Sequence, residues 1–370
     1  MEVEEGGVKI TVEDPATEGR TDDVFYNPRQ ELNRDLTIAV LRALRSSQPG
    51  VETYLDAMTA TGIRGLRAAA DGWTVTCCDR DPAAIGRARS HFEANGFEAE
   101  FVTRNVNALV HERGFDVIDL DPFGSPMPFV DAAVSRSPRL LCVTATDTAP
   151  LCGAHLRAGM RRYFAVPRNT EYHREMGLRT LLAGVCRLAA MRDLAIEPVC
   201  THATSHYVRA YCRLSGGAGT ADAAIDQLGV IAHCEDCLYR ESAAGLLGTI
   251  FETCPNCDGD RVLHAGPIWI GPTRDRAFLR TVCDALDDAM GERDAAADLI
   301  EQLIDELDRP THYDQHVLCK RWNRSAPAMD AFLDRLDAAG FETSRTHFGG
   351  TTFKTDAGVE QIRRATECAR

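Results

Sequence analysis

The chain has 370 residues, 44% of them hydrophobic, which is the composition of an ordinary globular protein. This length predicts two domains, because single cores seldom grow beyond roughly 250–300 residues. The sequence has no apolar run of the about 18 residues that a membrane span needs, and its first residues lack a signal-peptide pattern, so we expect no membrane partner and a cytoplasmic location.

The charged residues are unusual in kind as well as in balance. The formal net charge is −14, and only three of the 41 Lys and Arg residues are lysines, namely Lys9, Lys320 and Lys354. An acidic chain almost without lysine is typical of a cytoplasm at very high salt, where a Debye length of ~3 Å screens the repulsion between acidic groups. The alternative is an ordinary acidic enzyme. High salt also suppresses counterion release, so a nucleic-acid partner would have to be recognised by shape, stacking and direct hydrogen bonds.

Strands and helices alternate along the first part of the chain. Apolar segments with polar ends predict strands at 51–56, 73–79, 99–105, 115–121 and 139–147. A helix-like stretch follows at 174–194, and two β-rich runs at 196–204 and 207–214 predict a terminal hairpin. This alternation predicts an α/β fold in which helices cover both faces of a parallel sheet.

A Gly-rich polar segment, 215–222, is the best candidate for a linker. It divides the chain into a first domain over residues 1–220 and a second over 221–370. The second part begins with clustered cysteines and continues with helical periodicity over 274–307. It ends in a smaller α/β pattern.

A loop of small residues follows the first strand, from Asp56 to a helix start near Gly62. Small residues let the backbone approach a ligand, and a helix N-terminus favours anionic groups. In a methyltransferase that group would be the methionine carboxylate of S-adenosylmethionine. The second strand ends at Asp79, where doubly wound folds place the acid that binds ribose hydroxyls. Asp81 competes for this role, because the segment CDRDP offers two acids.

Asn105 and Val106 follow the third strand, at the position where a cofactor adenine would lie. An Asn side chain can hydrogen-bond the exocyclic amine of adenine, and the backbone of Val106 can bond a ring nitrogen. Their position therefore predicts that both bind the cofactor.

The fourth strand ends in Asp121-Pro122-Phe123-Gly124, a segment that resembles the motif of methyltransferases acting on exocyclic amines. An aryl amine is a poor nucleophile because its lone pair is delocalised into the ring. Asp121 and the carbonyl of Pro122 can each accept a hydrogen bond from the amine, and Asp121 can stabilise the positive charge that grows on nitrogen. Phe123 can stack on the base, which contributes about 1–3 kcal/mol. We predict that these three residues are catalytic; the alternative is a plain tight turn after a buried strand.

Four of the 14 cysteines form two CxxC pairs, Cys234 with Cys237 and Cys254 with Cys257. Thiolates at this spacing form a closed, tetrahedral, structural zinc site. We expect the zinc to stabilise the start of the second domain and to take no part in chemistry. The alternative is four ordinary buried thiols.

Together these segments resemble one family, the tRNA N2,N2-dimethylguanosine methyltransferases of archaea and eukaryotes. The resemblance implies a Rossmann-like class I methyltransferase domain and a second, smaller zinc-containing α/β domain that helps to hold tRNA. It also implies two successive methyl transfers from S-adenosylmethionine to the N2 amine of one guanine, at position 26 of tRNA. The segments that carry it are VFYNPRQELNRDL (24–36), DAMTATGIRGLRAA (56–69), DLDPFGSP (119–126), TATDTAPLCGAH (144–155), SHYVRAY (205–211) and the paired CxxC element.

Further site residues follow from this resemblance. Arg34 and Arg64 would contact the cofactor at its carboxylate end, because the planar fork of an arginine binds a carboxylate with two hydrogen bonds. Asn27 and Pro28 would shape the pocket for the target base, as would the loop around Asp147.

The resemblance places the target guanine, stacked, at the junction of two tRNA stems, so the enzyme must extrude it or bind a distorted form, and unstacking costs a few kcal/mol. Stacking on Phe123, and on Phe25 or Tyr26, would offset this cost. The chain departs from the family at Asn105, where an aspartate is common.

One dense cluster of basic and aromatic residues lies near the C-terminus. We predict that Arg321 and Arg324 contact tRNA phosphates there; the alternative is a solvated surface. The cluster comprises Lys320, Arg321, Trp322 and Arg324, to which Arg345, His347 and Lys354 add.

The sequence therefore predicts an enzyme, a tRNA guanine-N2 dimethyltransferase with structural zinc, and it indicates no obligate protein partner. An alternative is a methyltransferase that acts on an exocyclic amine of rRNA or of DNA adenine, which the segment 121–124 alone permits. A third hypothesis is a zinc-ribbon RNA-binding adaptor with an inactive Rossmann domain. The acids at positions 56, 79 and 121 argue against this hypothesis.

Overall fold

The computed structural model describes residues 1–12, 26–248 and 250–367. It begins with an antiparallel hairpin of β1 (Glu2–Glu5) and β2 (Val8–Thr11), which the sequence pattern did not predict. Val8 and Ile10 are buried while the residues between and after them are exposed, so one face of the hairpin packs on the core.

A sheet of seven strands forms the centre of the molecule. Its strands are β3 (Thr53–Asp56), β4 (Thr74–Asp79), β5 (Glu100–Thr103), β6 (Val117–Leu120), β7 (Leu140–Ala145), β8 (Leu194–Thr204) and β9 (Tyr207–Gly216). The spatial order is β5-β4-β3-β6-β7-β9-β8, with β3 to β7 parallel, β9 antiparallel to β7, and β8 antiparallel to β9 at the edge. The parallel sheet and the terminal hairpin confirm the sequence prediction. The strand order reverses between β3 and β6, where doubly wound folds bind their ligands.

Helices cover both faces of this sheet. They are α1 (Glu31–Ser47), α2 (Ile63–Ala70), α3 (Pro82–Asn95), α4 (Val106–Glu112), α5 (Met127–Val134), α6 (Thr148–Leu151), α7 (Leu156–Tyr163) and α8 (His173–Ala190), with a 3-10 turn at Pro28–Gln30. Alternate strand residues face opposite sides, so Tyr54 packs with α1 and α2, and the neighbouring Leu55 packs with α4, α5 and α8.

The segment 215–222, expected to be a linker, forms regular structure instead. Its first residues end β9, and the rest belong to α9 (Ala218–Ile225), which packs on β8 and α8. Ala221 and Ala224 are buried in that contact. The small residues here serve close packing, which composition alone does not distinguish from flexibility.

A second sheet follows, made of β10 (Leu228–Cys234), β11 (Arg240–Ala244) and β12 (Val262–Trp269), with β10 in the middle and all pairs antiparallel. The chain then returns to the first core through α10 (Arg276–Asp284) and α11 (Arg293–Asp305), which pack against α1. The hydrophobic core of α1 thus includes residues well beyond position 221. The predicted division at 220 and 221 stays a prediction.

The last part of the chain is a small α/β unit. It contains β13 (Tyr313–Asp314), α12 (Gln315–Arg321), α13 (Met329–Ala338), β14 (Thr343–Arg345), β15 (Thr352–Thr355) and α14 (Val359–Ala365). Phe332, Phe353 and Ile362 form the centre of its own core. Among the described residues, no helix has both the length and the apolarity needed to cross a membrane.

Candidate active site

A cavity of about 970 Å³ lies at the carboxyl ends of β3, β4 and β6, at the point where the strand order reverses. Most of the predicted cofactor, catalytic and base-pocket residues meet there. Those that line the cavity are Asn27, Pro28, Arg34, Asp56, Arg64, Asp79, Asn105, Val106, Asp121, Pro122 and Phe123. Gly62, Asp147, Arg321 and Arg324 do not line it.

The loop after β3 is closed by its own aspartate. Asp56 Oδ2 accepts hydrogen bonds from Thr59 Oγ1 at 2.8 Å and from the backbone N–H of Gly65 at 2.9 Å. Burial raises the pKa of Asp56 to about 6, although these hydrogen bonds oppose the rise. Gly62 lies at the helix start with φ 79°, and a Cβ there would come within 2.8 Å of Ala88 on α3. Gly62 therefore shapes the loop from behind the cavity.

Asp79 and Asp81 accept hydrogen bonds from different parts of the chain. Asp79 Oδ2 accepts from the backbone N–H of Ala60 at 3.2 Å, which joins the end of β4 to the loop after β3. Asp81 is the N-cap of α3, because its Oδ1 accepts from the backbone N–H of Ala83 at 2.9 Å. Both line the cavity.

Asn105 is also a helix cap. Its Oδ1 accepts from the backbone N–H of Asn107 at 2.9 Å at the start of α4. The side chain is exposed at the cavity wall, and the neighbouring Val106 is buried there. Because Asn105 Oδ1 accepts from the helix start, the side chain offers a ligand its amide N–H donors, which suit a ring nitrogen of adenine better than the exocyclic amine. The predicted bond to that amine stays a prediction.

The turn after β6 is tied to the end of β7. The backbone N–H of Gly124 donates to Thr146 Oγ1 at 2.7 Å, and the N–H of Thr146 donates to the carbonyl of Gly124 at 3.0 Å. Gly124 has a φ of 84°, which favours glycine. This clamp holds Asp121 and Phe123 at the cavity, where the Phe123 side chain is 75% exposed.

A buried chain of charges stands behind this turn. Arg209 forms a two-pronged pair with Asp119, with both N–O distances at 2.7 Å. Asp119 Oδ2 lies 3.7 Å from Arg64, and Arg64 Nη2 donates to Asp121 Oδ2 at 2.5 Å. Positive and negative groups therefore alternate from the core to the cavity wall. Although burial opposes ionisation, Arg209 and Arg64 hold the pKa of Asp119 below its ordinary value.

Neutral hydroxyls complete this chain of charges. Tyr54 donates to Asp119 Oδ2 at 2.8 Å, and Thr144 Oγ1 accepts from Arg209 at 2.8 Å. Thr37 Oγ1 accepts from both Arg64, at 3.0 Å, and Arg209, at 3.2 Å. The sequence pattern did not predict a role for Asp119 or Arg209, because the residues of this network come from separate elements, among them α1, β3, β7 and β9. One indication was available in the segment Asp119-Leu120-Asp121. Residues two apart on a strand share a face, so Asp119 could be expected on the same side as Asp121.

Arg34 is already paired in this structure. Its Nε and Nη2 each donate to the Glu5 carboxylate at 2.6 Å, and Nη1 donates to the carbonyl of Asn27 at 3.2 Å. Glu5 also accepts from Arg67 at 2.7 Å. Arg34 thereby fixes Asn27 and Pro28 at the cavity wall, and its contact with the cofactor stays a prediction. Tyr26 also lines the cavity, whereas Phe25 lies outside the described residues.

Asp147 points away from the cavity. Its carboxylate accepts a short hydrogen bond from Tyr163 and one at 2.9 Å from Arg162. The neighbouring Thr146 lines the cavity in its place. A role for Asp147 in substrate binding stays a prediction.

The four clustered cysteines converge as the spacing predicted. Their Sγ atoms lie within 4.8 Å of one another, with Cys234 to Cys257 at 3.7 Å and Cys237 to Cys254 at 3.5 Å. Four thiol ligands around one point fit a tetrahedral zinc ion. The site closes the loops at the end of β10.

The C-terminal basic cluster is smaller than expected. Arg321 donates to the carbonyl of Glu235 at 2.8 Å, and Arg324 pairs with Glu367. Lys354 and His347 do not belong to the surface cluster, because their side chains are only 1% and 2% exposed. Both pair with Glu306, and this correction reflects their positions facing the core.

The comparisons with known proteins agree with this geometry. The sequence model of the N2,N2-dimethylguanosine tRNA methyltransferase family matches residues 6–367. The chain is 54% identical over 370 residues to the tRNA (guanine(26)-N(2))-dimethyltransferase of Natronomonas pharaonis, covering 99% of this chain and 100% of that protein. The protein of the same name from Haloarcula marismortui is 52% identical over 366 residues, with 99% and 100% covered.

A solved structure extends the likeness to three dimensions. The complex of Trm1 from Pyrococcus horikoshii with S-adenosyl-L-methionine superposes with a TM-score of 0.87 at 33% identity, covering 99% of each chain. These findings confirm the resemblance that the sequence motifs indicated. The chain therefore belongs to the N2,N2-dimethylguanosine tRNA methyltransferase family.

Proposed function

We propose that this chain transfers methyl groups from S-adenosylmethionine to the exocyclic N2 amine of a guanine in tRNA, which is nucleotide 26 in the named relatives. The observation that carries the proposal is the shared cavity of two sets of residues. Asp79 and Asn105 supply the groups for an adenosine, and the turn Asp121–Phe123 supplies the groups for an aryl amine.

The cofactor half of the cavity fits an adenosine with a charged tail. Asp79 is our candidate for the ribose hydroxyls, because Asp81 already caps α3. Asn105 and Val106 would hold the adenine, and the loop 56–65 with Arg64 would hold the methionine tail. Bound S-adenosylmethionine supplies an electrophilic methyl group on a positively charged sulfur.

The chain's own residues prepare the amine. Asp121 and the carbonyl of Pro122 would accept its two hydrogens, which directs the nitrogen lone pair towards the cofactor half of the cavity. As positive charge grows on nitrogen, the Asp121 carboxylate stabilises it. Pro122 has no backbone N–H, so its backbone offers the amine only an acceptor, the carbonyl oxygen.

The base half of the cavity suits an extruded purine. Phe123 is 75% exposed at the cavity and offers a stacking face. Tyr26, Asn27 and Pro28 line the same cavity. Stacking here would offset the few kcal/mol that unstacking the guanine costs.

The second part of the chain would serve tRNA binding. We propose residues 1–220 as the methyltransferase domain and 221–370 as the zinc-containing, tRNA-binding domain, with Arg321 and Arg324 near phosphates. Zinc at the four cysteines would stabilise this second part. A cytoplasmic location fits a tRNA substrate and the absence of a membrane-spanning helix among the described residues.

Nucleoside analysis tests the proposed function. Purified protein is incubated at high salt with S-adenosylmethionine and, separately, with tRNA, rRNA or DNA, and the nucleosides are analysed by mass spectrometry. We expect N2-methylguanosine and then N2,N2-dimethylguanosine in tRNA only. Methylated adenine, or methylated nucleosides in rRNA or DNA alone, would refute the proposal.

A further inference from the structure

Arg64 has two acidic partners with very different surroundings. Asp119 is fully buried, whereas the Asp121 side chain is 20% exposed and reaches the cavity. The contact of Arg64 with Asp121 is the shorter one, 2.5 Å against 3.7 Å. One end of the Arg64 guanidinium is thus anchored in the core, and the other is held by the residue that we assign to the amine.

Among the arginines that line the cavity, Arg64 is also the best placed to receive an anionic ligand group. Arg34 is engaged by Glu5, and Arg104 pairs with Glu112 through two contacts of 2.6 Å. Arg29 and Arg80 are exposed at the surface, and Arg80 adjoins the ribose candidate Asp79. Arg64 lies in the first turn of α2 and is only 6% exposed.

The order of the strand ends along the sheet edge determines where the methionine tail of a bound cofactor would lie. With its adenosine at the ends of β4 and β5 and its sulfur beside Asp121, the remaining methionine tail would lie near the loop 56–65 and the start of α2. The tail's carboxylate would therefore meet the same guanidinium that Asp121 holds. A guanidinium fork binds a carboxylate well, and because Arg64 Nη1 is held by Asp119, Thr37 and Asn33, an incoming carboxylate and Asp121 meet at the same outer edge of Arg64.

We propose that Asp121 and the carboxylate of the cofactor's methionine tail compete for Arg64, so that cofactor binding releases Asp121 to accept the substrate amine. This inference rests on the proposed function of the cavity. It makes cofactor binding a condition for an available acceptor at Asp121, because a carboxylate paired with an arginine has less charge to offer a cationic nitrogen. The anchoring of Arg64 by Asp119, Thr37 and Asn33 keeps the guanidinium in place while its outer partner changes.

Calorimetry on the variant Asp121→Asn tests the competition without measuring transfer. Two neutral-sulfur ligands are compared, S-adenosylhomocysteine, which carries the carboxylate, and 5′-methylthioadenosine, which lacks it. We expect Asp121→Asn to bind S-adenosylhomocysteine about threefold to tenfold more tightly than the wild type, as a partly exposed ion pair of this size allows. The affinity for 5′-methylthioadenosine should change by less than about twofold.

Two controls isolate the role of Arg64. Asp71→Asn removes another aspartate paired with an arginine, Arg42 at 2.6 Å, outside the cavity, and should leave both affinities unchanged. In an Arg64→Gln background, Asp121→Asn should no longer increase the affinity for S-adenosylhomocysteine. If Arg64→Gln does not fold, the comparison of the two ligands still decides. An unchanged or weaker affinity for S-adenosylhomocysteine in Asp121→Asn, or an equal gain for both ligands, would overturn the inference, and methylation of tRNA by the wild type would be unaffected by that outcome.

Discussion

Asp121 is the residue on which the proposed chemistry depends. Replacement of Asp121 by Asn keeps the shape of the side chain and removes its charge. We expect the single-turnover rate of methyl transfer to fall by at least about a hundredfold, because electrostatic stabilisation of a developing charge is worth this much. The melting temperature should change little. Asp71→Asn is the matched control and should keep the wild-type rate; a normal rate in Asp121→Asn would remove Asp121 from the mechanism.

The two acids after β4 can be separated by mutation. Asp79→Ala should weaken binding of S-adenosylhomocysteine by about tenfold or more, because a charge-assisted hydrogen bond to ribose is lost. Asp81→Ala should instead lower the free energy of unfolding by about 1 kcal/mol, the usual effect of losing a helix N-cap, with little change in affinity. Isothermal calorimetry and urea unfolding measure the two effects. The reverse pattern would assign the ribose to Asp81.

The sequence predicted single residues well where they follow strands. Asp56, Asp79 and Asp121 stand at the ends of β3, β4 and β6, and parallel strands bring these ends to one edge of the sheet. It did not predict the pairing of Arg209 with Asp119, because the two residues meet only through the antiparallel placement of β9 beside β7. An isolated arginine in a strand gives no sign of a buried partner.

At the scale of elements, hydrophobic runs and turn residues predicted the central sheet. Continuous apolar segments identify strands buried on both faces, which is why β4 and β7 were found. The N-terminal hairpin was missed because its strands mix exposed charged residues with buried ones and so form no continuous apolar segment. The segment 215–222 was misread because small residues suit close packing as well as flexible linkers.

The zinc element is expected to be structural. Cys254→Ser removes one of four ligands, so the protein should lose bound zinc and show a lower melting temperature. Catalytic rate per folded molecule should be unchanged, because the four cysteines do not line the cavity. Metal analysis, thermal unfolding and rate measurement below the melting temperature test this order of effects. Loss of rate in a fully folded, zinc-depleted sample would give the zinc a role at the active site.

At the scale of the whole molecule, a buried charge network joins the C-terminal unit to the catalytic part. Lys354 on β15 contacts Glu175 on α8 at 3.1 Å and Glu306 after α11 at 2.9 Å. His312 and His347 bond the same two acids at 2.9 and 2.8 Å. This network gives the two parts of the chain one shared interior.

Buried histidines and acids predict instability in acid. Burial lowers the pKa of His202 to about 3 and also lowers the pKa of His312, whereas an unfolded histidine has a pKa of about 6.5. Although burial opposes it, Lys354 holds the pKa of Glu175 and Glu306 below the ordinary value. In both cases the unfolded chain binds more protons, so stability falls as pH drops below about 6.5, and further below about 4.5. A urea midpoint that stays constant from neutral pH to about pH 4 would contradict this.

The acidic composition makes a prediction about salt. With a net charge of −14, repulsion between surface acids should destabilise the fold at low ionic strength. We expect the melting temperature to rise from about 0.1 M to about 2 M KCl, where the screening length is only a few ångströms. Thermal unfolding across this range measures the effect. A melting temperature that is highest in dilute buffer would indicate an ordinary acidic enzyme.

The central claim is that the turn 121–124 faces the reacting end of the cofactor. A crystal structure of the protein with S-adenosylhomocysteine tests it most directly. We predict that the sulfur lies beside Asp121 and Pro122, with the ribose on Asp79 and the adenine next to Asn105 and Val106. A sulfur atom on the far side of the cavity from that turn, or a ligand bound elsewhere, would contradict the account.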